Sequence, residues 1–120
     1  MSATTLSAAL RAILREMDRR AAGLTPPPVV YVVGAGALVL QGISRRATQD
    51  LDFVCDTQAA LFVNILTPAG VYSHCVPPGL VSMPRGWRDR AEPLPGCRAR
   101  HVRVLLPELL DRMMDKLASG

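Results

Sequence analysis

Apolar residues recur along this chain in two periods, and each predicts a different kind of element. Over residues 7–22 they fall at helical spacing, with Leu10, Ile13, Leu14 and Met17 on one stripe and Arg11, Arg15, Arg19 and Arg20 mostly off it. That is an amphipathic helix, ended by Gly23 and by the Pro26-Pro27-Pro28 run. Val29 to Val33 is instead an unbroken β-branched and aromatic run, as in buried strands, and Gly34 stops it. Gly34-Ala35-Gly36-Ala37 then reads as a turn of very small side chains that opens a helix. A second apolar strand follows at Leu51-Asp52-Phe53-Val54-Cys55.

Further on, Thr57 is placed to cap a helix through Ala59, Leu61, Val63, Ile65 and Leu66, which Pro68 and Gly70 stop. Two short strand-like pieces, 71–76 and 80–83, are joined by a Pro77-Pro78-Gly79 turn. Residues 84–96 are polar, basic and bounded by proline, with Trp87 among Arg85, Arg88 and Arg90. There the indole either stacks on a base between phosphate-holding arginines or packs at a sheet edge, and packing is favoured. Residues 101–106 alternate as a last strand, and Pro107 leads into a helix over 108–118. The expected fold is α+β, a small mixed β-sheet with helices largely on one face. A chain of 120 residues buries one modest core, so residues 1–120 form a single domain.

Against that scaffold the acidic residues stand out. Asp50 and Asp52 arrive on an otherwise apolar strand, and a period of two sends both carboxylates to the same face, with Cα atoms roughly 6 to 7 Å apart. Two such carboxylates repel and lose hydration unless a cation lies between them. Mg²⁺, with Mn²⁺ as the substitute, takes one or two protein carboxylates plus substrate phosphate oxygens. A strand bearing Asp-x-Asp opposite a glycine turn is therefore a sensible site for an NTP, with the Gly34, Ala35 and Gly36 backbone, Arg46 and Thr48 positioned for its phosphates.

At these residues the chain resembles a known family. Val33-Gly34-Ala35 followed by Asp50-Leu51-Asp52-Phe53 is similar to the nucleotidyltransferase signature of the DNA polymerase β superfamily, with Ala35 where a second Gly or Ser is usual. The longer run, with Gly42 and Arg46-x-Thr48-x-Asp50-Leu51-Asp52, resembles the bacterial AbiEii-type toxins and their nucleotidyltransferase-like relatives. Residues 84–90, and 106–110 through 116–118, fit those relatives too. The resemblance implies transfer of NMP from an NTP to an RNA or protein hydroxyl, with Asp50 and Asp52 as catalytic metal ligands and an antitoxin as partner. It also implies that longer relatives continue into further helices, which makes this a minimal or C-terminally shortened form. A third carboxylate is usual in the superfamily. The last strand offers Arg103 where an acid is wanted, so Asp89 and Glu92 are the candidates to supply it.

Composition narrows the remaining choices. Apolar residues make up 49% of the chain, which argues against disorder, and the longest apolar runs fall far short of a membrane span. Cys55, Cys75 and Cys97 are widely spaced, and the N-terminus lacks the basic start and apolar core of a signal peptide, so the expected location is a reducing cytoplasm. His74, Cys75, Cys97 and His101 match no recognised zinc spacing. The net charge of +4 permits a polyanionic partner without demanding one. Two other readings compete. One is a module of the same fold that binds nucleotide or a partner without chemistry. The other is a dinucleotide-binding domain, suggested by Gly34-x-Gly36 and Asp56 but opposed by the bulk of Val39.

Overall fold

The computed structural model describes residues 2–43, 48–108 and 111–112. Helix α1 (Ala3–Arg20) starts a turn earlier than its apolar stripe because Ser2 caps it, its Oγ accepting the Thr5 N–H at 3.1 Å. One of the N–H groups that a helix leaves unpaired at its start is thereby satisfied. Leu10, Ile13 and Met17 are fully buried. On the outer side, Glu16 accepts hydrogen bonds from Arg19 and Arg20, which together hold its carboxyl down at about 2.

Strands β1 (Val29–Val33), β2 (Asp50–Val54), β3 (Tyr72–Cys75), β4 (Glu92–Pro93) and β5 (Arg103–Leu106) form one sheet, in the order β3-β2-β1-β5-β4. It is mixed: β1 runs antiparallel to β2 and parallel to β5, while β3 is parallel to β2 and β4 antiparallel to β5. Because side chains alternate along each strand, Val30, Val32, Leu51, Phe53, Val104 and Leu106 share one face. With α1 and the short helix α2 (Gly34–Leu40) they form the core. Tyr31, Val33, Asp50 and Asp52 point to the other face. This is the expected α+β arrangement. The antiparallel β1–β2 pair removes the dinucleotide-binding alternative, whose first two strands run parallel about a crossover helix.

The predicted helix over 57–66 does not form. Only a 3₁₀ turn, Ala59–Leu61, is helical, and Gln58 and Asn64 take positive φ values of 61° and 57°. The reason lies in β3, an edge strand whose outward backbone groups need partners. Ser73 N–H donates to Ile65 O and Asn64 N–H donates to Ser73 O, both at 3.0 Å. The fully buried Ser73 hydroxyl donates to Phe62 O and accepts the Ile65 N–H. A helix would use those same groups internally, so the segment instead lies along the strand and covers its edge.

The strand expected at 80–83 is also absent; Pro78–Leu80 is a 3₁₀ turn and the chain beyond it is irregular. Residues 84–96, polar and bounded by proline, contain a single-turn helix α3 (Trp87–Arg90) and the two-residue β4. Of the helix expected over 108–118, residues 109–110 and 113–118 lie outside the described residues. Asp111 and Arg112 are helical, with the Arg112 N–H bonded to Glu108 O at 3.0 Å. No described helix is long and apolar enough to cross a membrane.

Candidate metal centre beside the glycine turn

The register of the sheet builds the centre. Asp52 pairs with Val33, the last residue of β1, on one side and with His74 of β3 on the other. Asp50 pairs with Tyr72. The alternation that aligns the two carboxylates therefore also aligns His74 with them. Its Nδ1 lies 3.2 Å from Asp52 Oδ1, and Asp50, Asp52 and His74 each offer one ligand atom, all within 4.8 Å of one another. Asp50 and Asp52 are half-buried and His74 is exposed, so the cluster opens to solvent. The Thr48 hydroxyl donates to Asp50 on both its backbone carbonyl, at 3.2 Å, and its Oδ1, at 3.3 Å, which fixes the strand entry and orients the carboxylate.

The glycine turn lies against this cluster. Gly34 opens α2 with φ +69°, and a Cβ built on it would stand 3.0 Å from Asp52 Oδ2. The position needs glycine both for its backbone conformation and for the space that the carboxylate occupies. Gly36 does something else. It is buried, and a Cβ there would meet Leu51, the Asp50 carbonyl and Leu10 within 3.6 to 3.8 Å, so its smallness lets α2 pack on β2 and α1. Gly34 and Ala35 are the turn residues that remain partly exposed.

The donor set suits a divalent cation. Octahedral ligands about 2.1 Å from an ion stand about 3 Å apart when adjacent and about 4.2 Å when opposite. Three donors within 4.8 Å approach that spacing with small side-chain adjustments. An imidazole and two carboxylates are all common ligands of such ions.

The other expected site residues fall elsewhere. Arg46 lies outside the described residues. Glu92 is on β4, three strands from β2 in the sheet order and so about 14 Å away by strand spacing. Asp89 is exposed on α3, and neither acid belongs to the metal-capable group found among the described residues. The topology also places the last strand away from the acidic pair. Strand β5 borders β1 rather than β2, and Arg103 pairs with Val29 at the end of β1 remote from Asp52. The neighbour of β2 is β3, where the residue level with Asp52 is His74.

The His74 position was hidden in the sequence because alternation over 71–76 gives its face without saying which strand β3 adjoins. His74 and Cys75 point to opposite faces, with Cys75 packed against the core, so they do not act together on one ion. Burial pushes the Cys75 thiol above its usual range, and it does the same to Cys55, whose thiol donates a hydrogen bond to Thr57 O.

Trp87 packs against the protein, though on Tyr31 of the middle strand β1 rather than at the sheet edge as expected. Its ring meets Tyr31 edge to face at 5.1 Å, and the Arg88 guanidinium lies 5.5 Å from the Trp87 ring centre and 5.6 Å from that of Tyr31. Arg88 also pairs with Asp56 at 2.5 Å, which ties α3 to the end of β2. Asp56, the acid a ribose would need in the dinucleotide reading, is thus engaged by an arginine.

No curated protein and no solved structure matches the chain. Residues 8–120, which include every residue of the acidic cluster and its glycine turn, match the family described as nucleotidyltransferase of unknown function (DUF6036), and the chain belongs to that family.

Proposed function

We propose that this nucleotidyltransferase moves a nucleoside monophosphate from an NTP to a hydroxyl of RNA or protein, using a divalent cation held by Asp50, Asp52 and His74. The observation that carries the reading is the meeting of these three donors within 4.8 Å beside Gly34. In the reaction the acceptor oxygen bonds to the α-phosphorus, the bond from that phosphorus to the bridging oxygen of the β-phosphate breaks, and pyrophosphate leaves. A bound Mg²⁺ or Mn²⁺ would neutralise charge on the phosphates and lower the pKa of the attacking hydroxyl.

The chain's own residues do the positioning. Asp50 and Asp52 project from an interior strand paired on both sides, so their separation is set by the pleat rather than by a loop. Thr48 holds Asp50 through its hydrogen bonds. Gly34 and Ala35 present backbone free of bulk next to Asp52, where a phosphate can approach closely. Arg46 is proposed to hold a phosphate oxygen. An antitoxin partner and a toxin role follow from the resemblance to AbiEii-type proteins, and belong to the proposal on that ground only.

The test is transfer of label from α-labelled NTPs to RNA or protein in a cell extract, with the metal supplied. Label should appear with the wild-type chain and vanish in Asp50→Ala and Asp52→Ala while both variants keep their folded circular-dichroism spectrum. Label that survives Asp52→Ala would put the chemistry elsewhere. Metal-dependent NTP binding without transfer would make the chain a non-catalytic module of the same fold.

A further inference from the structure

The identity of the third donor bears on which ion the site selects. This inference rests on the proposed metal site and concerns His74, which takes the position level with Asp52 on the neighbouring strand. Magnesium is a hard cation that favours oxygen donors and keeps several waters. Imidazole is a softer donor, and affinity for nitrogen rises along the first-row divalent series that manganese opens, whereas magnesium keeps to oxygen. A site with two carboxylates and one imidazole therefore differs from one with three carboxylates in the ion it prefers.

Three features of the structure make His74 a ligand candidate rather than a bystander. Its side chain shares the face of Asp50 and Asp52 by strand register. Its Nδ1 already lies 3.2 Å from Asp52 Oδ1, and it falls with donors of both carboxylates within 4.8 Å. The side chain is about half exposed, at 55%, so turning the ring towards an ion displaces no core packing. Among the described residues, no other His, Cys, Asp or Glu joins the cluster.

We infer that His74 is a metal ligand and that it biases the site towards Mn²⁺ over Mg²⁺. The carboxylate pair provides the charge for any divalent ion, and the imidazole discriminates between them. Replacing it with a carboxylate should restore an all-oxygen site and favour magnesium.

The experiment uses the full chain with metal alone. Mn²⁺ binding is followed by the free-ion electron paramagnetic resonance signal, and Mg²⁺ affinity by competition, in wild type, His74→Asp and His74→Ala. The wild-type preference for Mn²⁺ over Mg²⁺ should exceed that of His74→Asp. His74→Ala should lose Mn²⁺ affinity more than Mg²⁺ affinity. Pulsed resonance of the wild-type Mn²⁺ complex should show coupling to an imidazole nitrogen, absent in both variants.

An unchanged Mn²⁺:Mg²⁺ ratio in His74→Asp, or a wild-type complex without nitrogen coupling, overturns the inference while leaving a site at Asp50 and Asp52 intact. Failure of wild type to bind either ion, or Mn²⁺ binding that survives Asp52→Ala, overturns the site and the inference together. Because His74 lies on the exposed side of an edge strand, both variants should fold, and circular dichroism checks it.

Discussion

Gly34→Ala tests whether the glycine turn and the acidic strand form one unit, and Gly42→Ala provides its control. Both residues have φ +69°, but a Cβ at Gly34 would stand 3.0 Å from Asp52 Oδ2, whereas nothing lies within 4 Å of one at Gly42. An L-residue held in the left-handed region costs about 1–2 kcal/mol. The narrower unfolded ensemble returns about 0.4–1 kcal/mol of that. Both variants should therefore lose up to about 1.6 kcal/mol from the backbone, a fall in Tm of up to about 6 °C for a domain of this size.

Gly34→Ala carries a second effect. Its methyl is roughly half an ångström short of ordinary contact with the carboxylate, so Asp52 must shift. Displacing groups that orient metal ligands costs about 10–100-fold in affinity, and the expected loss here is about tenfold in Mn²⁺ binding. Differential scanning fluorimetry gives the Tm values, and the free-ion Mn²⁺ signal gives the affinity. Gly42→Ala should lose stability with unchanged metal affinity. If Gly34→Ala also keeps wild-type Mn²⁺ affinity, the turn is not part of the site.

Two further outcomes probe the supports of the site. Ser73→Ala should destabilise the domain by about 2–3 kcal/mol in urea unfolding, because it removes the partners of Phe62 O and the Ile65 N–H in a buried setting; a loss below about 0.5 kcal/mol would mean that the covering loop is held otherwise. Asp18 should supply acid sensitivity. Burial raises its pKa, but the N–H groups of Arg100, His101 and Val102, at 2.9, 2.6 and 3.0 Å, outweigh it and hold the carboxyl below its usual range. Its stabilisation should be complete above the ordinary carboxylate value of about 4 and fade as pH falls through the lower folded value. Asp18→Asn should shrink the stability difference between pH 6 and pH 2.5, and an unchanged difference would remove Asp18 as the cause.

Elements whose pattern needs no outside partner are legible along the chain. The stripe from Leu10 to Met17 makes an amphipathic helix, and the β-branched Val29–Val33 run, stopped by Gly34, favours a buried strand. Strand alternation placed Asp50 and Asp52 on one face before any neighbour was known. What alternation cannot give is adjacency. His74 joins the acidic pair because β3 docks parallel to β2, and Arg103 is remote because β5 docks on the far side of β1. Likewise, apolar spacing over 57–66 suits a helix in isolation, but the unpaired edge of β3 claims the backbone of that segment, with Ser73 completing the bonds. Local periodicity depends on residues a few positions apart, so it is legible in one dimension. Strand order depends on contacts between residues far apart in the chain, and only the folded sheet decides them.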